Sequence, residues 1–402
     1  MIKNQRPYQW MYSKTGNAPL SSLVAVGAKL CGVLCYAAQA PFLRKKDAIP
    51  DADAARRAVE AIHETPPAQP LAFPPLPAAD GAVEVSVVIP AYNAASYVAA
   101  CIDSVLAQQT TRRIQIIVVN DGSTDGTGAV LQAYAARPEV TVVTLTDGGS
   151  AAKARNAGLL HATGRYLMFV DSDDVLLPAA VERLVTAAEA TGADVVQGGW
   201  QYIDENDHRG SVQRYVETVY EGARRADRLD LPGMPWGKLY RRELFEAVRF
   251  PSYYPCFEDA IIHFLVFRQA KRVAAVADTV YLWRKNSGGI TATSQNRPVA
   301  VLSCAIVEQL LLWDAALELP HDELFWRSLV MQLSNFCYAN VAGLPPEQRR
   351  QVFRRCCVLY EQQAGEEIPR GLPFVMKQEA KALRSRRFGR WERLGRLFQL
   401  IR

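Results

Sequence analysis

Three carboxylates fall within four residues at Asp171, Asp173 and Asp174, directly after the apolar run 166–170. At that spacing they repel one another unless a cation sits among them. Mg²⁺ and Mn²⁺ are held in this manner, by one or two carboxylates plus the oxygens of a substrate phosphate. The same residues also read as a helix N-cap with solvated acids, ahead of a helical segment near 178. Three further candidates precede them. Tyr92 lies in Pro90-Ala91-Tyr92-Asn93, Asp121 in Asn120-Asp121-Gly122-Ser123-Thr124-Asp125, and Arg155 in the segment 148–158 that opens on Gly148-Gly149-Ser150. Taken singly, Asp121 reads as an Asx-type turn, Arg155 as surface charge on a helix and Tyr92 as a packing residue.

Position is what unites them. Short β-branched runs at 85–89, 114–119, 140–145, 166–170 and 194–197 alternate with helical segments near 95–108, 125–136, 150–162 and 178–191. Near-continuous apolar strands between helices predict an α/β domain, doubly wound around a mostly parallel sheet. Ligands of such sheets bind beyond the carboxyl ends of the strands. An aromatic, a carboxylate, an arginine and an acidic cluster therefore converge on one edge. After Val88 the chain reads IPAYNAAS, with no glycine. That excludes the GxGxxG loop of a dinucleotide dehydrogenase and the GxGxR loop of a sugar-phosphate nucleotidyltransferase.

In order, VSVVIPAYN, VVNDGSTDGT, KARNAG and FVDSDD resemble the nucleotide-sugar-binding half of the family 2 glycosyltransferases, which have the GT-A fold. The resemblance covers roughly 84–200 and continues beyond. Pro235-Trp236-Gly237-Lys238-Leu239-Tyr240-Arg241-Arg242-Glu243-Leu244 resembles the acceptor-side strand and helix, and Phe257-Glu258-Asp259 the catalytic acidic pair. Tyr281-Leu282-Trp283-Arg284 with Gly289-Ile290-Thr291 resembles the loop that closes over the donor diphosphate. It implies an inverting transfer from a nucleotide sugar, with a UDP-sugar as the expected donor. Pro90 and Tyr92 would flank the nucleobase, Asp121 would bond the uracil, Arg155 the nucleotide and Asp171 the ribose. Asp173, with Asp171, would hold Mn²⁺ or Mg²⁺ on the diphosphate. Asp259 would be the general base, with Glu258 the second choice. Arg284 or Lys238 would neutralise the leaving group, and Trp236 and Lys238 would line the acceptor site, unless Trp236 is simply a buried aromatic. Two positions depart from the family pattern: Phe257 stands where glycine is usual, and Gly237 where asparagine is usual. Lacking a QxxRW motif and a multi-span region, the chain reads as a single-addition enzyme. Its expected acceptor is a saccharide or lipid-linked saccharide in bacterial surface polysaccharide, lipopolysaccharide or capsule synthesis. The alternative is a catalytically silent GT-A domain that binds glycans or scaffolds a complex.

Composition sets the surroundings. The 402 residues are 49% apolar and 22% charged, as in ordinary globular proteins. The net charge of +5 is uneven: residues 1–46 carry +7 and residues 371–402 carry +7, leaving 47–370 at −9. Basic ends on an acidic body argue against nucleic acid as a partner and for an anionic membrane surface. Eight scattered cysteines without a CxxC pair, and five histidines without metal spacing, argue for a reducing compartment and against zinc or disulfides. The expected layout is a basic segment 1–46 with an apolar helix at 20–43, and a short helix and Pro-rich linker at 47–82. A glycosyltransferase domain at 83–296 divides into halves at 83–200 and 201–296; a helical region at 297–370 and a basic tail at 371–402 follow. The 20–43 segment reads as an in-plane or packed helix ahead of a spanning helix or a signal peptide. Phe388, Trp391, Leu394, Phe398 and Ile401 recur at helical spacing in the tail, suiting either a membrane-surface helix or one docked on its own protein. The expected location is the cytoplasm, at the inner face of the cytoplasmic membrane.

Overall fold

The computed structural model describes residues 46–148, 150–286, 294, 296–365 and 367–401. The apolar segment 20–43 and the Gly289-Ile290-Thr291 stretch lie outside the described residues. The described residues divide into two compact units, one of residues 71–286 and one joining residues 46–70 to residues 294–401.

The first unit is α/β. In chain order it contains β1 (Val85–Ala91), α2 (Val98–Leu106), β2 (Ile114–Asp121), α3 (Thr127–Gln132), β3 (Val140–Leu145), α4 (Ala151–Leu159), β4 (Tyr166–Phe169), β5 (Val175–Leu176) and α5 (Ala180–Thr191). It continues with β6 (Val195–Ile203), β7 (Arg209–Gln213), β8 (Thr218–Tyr220), β9 (Lys238–Arg241) and β10 (Val273–Arg284); α1 (Ala52–Glu60) belongs to the other unit. The sheet order is β3-β2-β1-β4-β9-β6-β10-β5, with β7 beside β6 and β8 beside β10. The expected parallel sheet is the β3-β2-β1-β4 edge. The complete sheet is mixed, because β9 inserts antiparallel between β4 and β6, while β6 and β10 run parallel to each other.

Both faces of β1 are covered, so all seven of its residues are buried, as its unbroken apolar run requires. Pro90 is tolerated in this central strand because β4 registers only with Val85–Val88; the missing N–H falls where β1 has lost that neighbour. Gly158 sets how closely α4 approaches the sheet. A Cβ there would lie 2.4 Å from Cγ1 of Val88, so only glycine lets the helix settle against β1, one turn after Arg155.

The second unit is helical: α1, α6 (Leu302–Leu317), α7 (Glu323–Val330), α8 (Cys337–Val341), α9 (Pro346–Ala364), α10 (Phe374–Arg384) and α11 (Phe388–Ile401). The segment Pro298–Leu317 is long and apolar enough to cross a membrane by length and composition, yet it forms the core of this unit, with Leu302, Ile306, Leu310 and Trp313 buried. The Pro-rich segment is tied to it. Gln69 exchanges two hydrogen bonds with the Gln309 side chain, and the Trp313 indole donates to the Gln69 carbonyl at 2.9 Å. Of the two readings of the tail helix, the structure shows the one docked on its own protein. Phe388, Trp391 and Leu394 are buried in the unit, with Trp391 edge-on to Tyr338 and its indole donating to the Leu333 carbonyl. Apolar residues three and four apart describe a helix with one covered face; they do not say whether lipid or protein covers it.

Glu379 on α10 is buried, and burial pushes its carboxyl up to about 8 from an ordinary value of about 4.3. The folded unit therefore holds a proton that the unfolded chain releases. The stability gained is full below about pH 4.3 and is lost as pH rises to 8. Glu379→Gln should accordingly raise the melting temperature at pH 8.5 and leave it nearly unchanged at pH 4, in paired thermal melts.

Candidate active site

The first two strand-end loops are fastened together. The Asn93 N–H donates to Ser123 Oγ at 3.0 Å and the Thr124 N–H donates to Asn93 Oδ1 at 2.9 Å. Asp125 accepts from the Ala95 and Thr127 amides, so it serves the loop and not a ligand. Asn93 adopts the left-handed conformation, φ 48°, which asparagine tolerates. Held this way, Tyr92 is 60% exposed, an open ring and not a packing residue. Asp121, the last residue of β2, is buried.

Arg155 is not the surface charge its helix position suggested. It is 4% exposed and donates through Nη1 to Glu258 Oε1 and through Nη2 to Asp171 Oδ1, both at 2.7 Å, with its guanidinium 5.4 Å from the Phe250 ring centre. One buried cation thus joins an acid of the β4 end to an acid of the 257–259 loop. Both terminal nitrogens are directed at carboxylates, so Arg155 can influence a nucleotide through Asp171 and not by pointing at it.

The acidic cluster divides its roles. Asp174 is buried and accepts from the Tyr281 hydroxyl and the Arg284 amide, both at 2.7 Å; burial and the neighbouring Asp173 and Asp171 raise its pKa well above the usual range. It is a structural lock between β4 and β10. Asp171 and Asp173 remain as a pair, with Asp173 pushed up by burial and by the charge of Asp171. A carboxylate raised by burial beside a second acid suits a cation. No group of three or more His, Cys, Asp or Glu side chains able to hold a metal is present among the described residues. The pair nonetheless fits Mg²⁺ or Mn²⁺, which take one or two carboxylates and complete their shells with phosphate oxygens and water.

Three expected ligand contacts take other positions. Arg284 is buried, with Nε on the Asp173 carbonyl at 2.7 Å, Nη1 on the Asp204 carbonyl at 2.8 Å and Nη2 on Asp207 at 2.7 Å. In this arrangement it braces the acidic loop and makes no open cation for a diphosphate. Lys238 is fully buried, donates to the Met234 carbonyl, and is pushed well below its ordinary pKa by that burial. Trp236 is buried and stacks on Tyr281 at 4.8 Å and 9°, so its ring is covered, as in the buried-aromatic reading. The partly exposed aromatics beside it are Trp200, Tyr202 and Trp283, packed edge to face. Trp200 and Tyr202 alternate along β6, and Trp283 of β10 registers with Tyr202, but the pairing of these two strands, distant in sequence, carries no local signal.

The acidic pair itself is asymmetric. Glu258 is neutralised by Arg155, whereas burial and the Glu258 charge push Asp259 up to about 7. The two departures from the family pattern have a backbone explanation. Gly237 has φ 69° and Phe257 φ 72°. Glycine and asparagine both accept this region, so Gly237 is at ease. A phenylalanine there is strained.

The match to known proteins agrees with this geometry. Residues 86–249 match the model of Glycosyl transferase family 2. Over 217 residues, 52% of this chain, it is 34% identical to the uncharacterized glycosyltransferase EpsJ of Bacillus subtilis, spanning 62% of that protein. Over 224 residues, also 52% of this chain, it is 34% identical to glycosyltransferase GlyG of Streptococcus pneumoniae, spanning 73% of that protein. The crystal structure of S. aureus TarS 1–349 in complex with UDP-GlcNAc superposes with a TM-score of 0.63 at 20% identity, covering 79% of this chain and 92% of that one. The fold is that of GT-A glycosyltransferases. The chain belongs to glycosyltransferase family 2.

If Arg155 is the tie described, Arg155→Met leaves two partly buried carboxylates facing one another and should cost about 3 kcal/mol of stability. Adding Glu258→Gln should restore part of that loss. Urea denaturation of the single and double variants reads the difference, and strict additivity of the two substitutions would contradict it.

Proposed function

We propose that this enzyme is an inverting glycosyltransferase that moves a sugar from a UDP-sugar to a hydroxyl of a saccharide acceptor. The observation that carries the proposal is the unequal acidic pair, with Glu258 held by Arg155 and Asp259 pushed up to about 7. A base must be both unpaired by a cation and near its working pH to take a proton from an alcohol. Of the two, Asp259 meets both conditions.

In this reading the nucleobase lies against the open Tyr92 ring with Asp121 below it, and Asp171 meets the ribose. Asp173, with Asp171, would hold Mn²⁺ or Mg²⁺, which supplies positive charge to the departing diphosphate. Asp259 removes the acceptor proton as its oxygen attacks the anomeric carbon from the face opposite the leaving group. Arg155 keeps Asp171 and Glu258 in register, so donor and base meet in one geometry. The TarS complex with UDP-GlcNAc supports a uridine donor. The likeness to the succinoglycan biosynthesis protein ExoO of Rhizobium meliloti supports bacterial surface polysaccharide, lipopolysaccharide or capsule as the product. A peripheral position at the inner face of the cytoplasmic membrane belongs to the same proposal. It now rests on the basic charges, since Phe388 and Trp391 of the tail are internal.

Nucleotide release from a panel of UDP-, GDP- and dTDP-sugars with Mn²⁺ and oligosaccharide acceptors tests this directly. UDP-sugars should turn over, and kcat/KM should fall about tenfold per pH unit below pH 7 as Asp259 takes up its proton. Asp259→Asn should lose about 10²–10⁴ in kcat while keeping the melting temperature. Asp173→Asn should abolish the response to added Mn²⁺. Turnover by Asp259→Asn near the wild-type rate would remove that residue as the base, and no turnover with any donor would favour a silent binding domain.

A further inference from the structure

The mechanism leaves aside a concentration of positive charge in the helical unit. A cavity of about 340 Å³ is lined by Lys46, Lys381, Arg384, Arg387 and Arg390, with Ser385 among them, and by no carboxylate. Elsewhere in this unit arginines meet acids: Arg56 and Arg355 on Glu308, Arg349 on Glu392, Arg350 on Asp47, and Arg386 on Glu361. Lys46, Lys381, Arg384 and Arg387 make no ion pair among the described residues. Like charges gathered round one hollow repel one another and destabilise the fold unless an anion fills it.

The local backbone is arranged so that these side chains converge. Arg386 takes the left-handed conformation, φ 55°, and reverses the chain between α10 and α11. The last carbonyls of α10 are satisfied by the Ser385, Arg386 and Arg387 amides at 3.0 Å, and the first amide of α11 donates to Asp47 Oδ2 at 3.3 Å. The helix ends are therefore closed, and whatever binds is recognised by ammonium and guanidinium groups. Arg390 already donates to Gln378 at 2.6 Å; the guanidinium groups of Arg384 and Arg387 and the ammonium groups of Lys46 and Lys381 suit tetrahedral phosphate oxygens, to which arginine donates in pairs and lysine as a point charge.

We propose that this cavity is a binding site for a phosphate or pyrophosphate group, separate from the donor edge of the sheet. The group could be carried by a membrane lipid or a lipid-linked saccharide, or arrive as a free anion; the recognition chemistry is the same. In either case the net charge of +7 in residues 371–402 is a recognition feature, not only a diffuse attraction to a surface.

The test uses the full chain in EDTA, so that metal-assisted binding at the donor edge is suppressed. Titration calorimetry with pyrophosphate should show saturable, salt-sensitive binding that weakens about tenfold or more in Lys381→Ala/Arg384→Ala/Arg387→Ala and is unchanged in Asp173→Asn. Sedimentation with phosphatidylcholine vesicles containing phosphatidylglycerol then identifies the carrier. Vesicle binding that pyrophosphate displaces and the triple variant lacks supports a lipid-borne group. Pyrophosphate binding without vesicle binding supports a soluble one. Should circular dichroism show the triple variant unfolded, Lys381→Glu, an exposed single change, replaces it and should weaken binding likewise. Absence of saturable binding by the wild type, or equal binding by the folded variants, overturns the proposal.

Discussion

The pairing of one buried arginine with two carboxylates is the constraint on which the site depends. Arg155 sits on α4, one turn before the glycine that lets that helix touch β1. It reaches Asp171 at the end of β4 and Glu258 in the loop before the π-turn at Ile262–Val266. A guanidinium stays protonated at any working pH and offers a rigid fork. Removing it would strand two acids, so its presence fixes the distance between the end of β4 and the 257–259 loop. It also breaks the symmetry of the Glu258–Asp259 pair. Of the two, Glu258 has the cation within hydrogen-bond distance, and Asp259 is the one pushed up by burial and by the Glu258 charge.

Around that tie the supports are made mostly of side chains that look catalytic in the sequence. Asp174 reads as part of the acidic cluster, yet its oxygens belong to Tyr281 and the Arg284 amide. Arg284 reads as a phosphate ligand and is a brace on three partners. Such buried polar groups are satisfied within the protein, and they brace the loop that carries Asp171 and Asp173. Phe257 is the reverse case: a strained φ of 72° next to the acidic pair, the sort of local cost that persists where the surroundings hold it in place.

What the sequence made legible follows from this. Strand ends are written locally, in apolar runs followed by Asn, Asp, Gly and Ser, so Tyr92, Asp121, Asp171 and Asp173 could be placed on one edge before any coordinates. The parallel edge of the sheet was legible for the same reason. Insertion of β9 against β4 was not, because a four-residue strand carries no periodic signal and its partner lies some seventy residues away. The burial of Arg155, Arg284 and Lys238 was equally hidden: a charged residue on a helix or strand looks the same whether its partners are water or distant carbonyls. The tail helix shows the limit of amphipathicity. Its aromatic spacing is correct, but Tyr338 and the Leu333 carbonyl take the place that a bilayer would have had.

The central claim is that Arg155 silences Glu258 and leaves Asp259 as the base, with the Glu258 charge holding the Asp259 pKa up. The most direct measurement is the pH dependence of kcat/KM for Glu258→Gln beside the wild type. Loss of that charge should move the acid limb to lower pH while turnover persists. An acid limb that stays in place, or turnover abolished by Glu258→Gln in a protein that is still folded, would contradict the account and give Glu258 the proton.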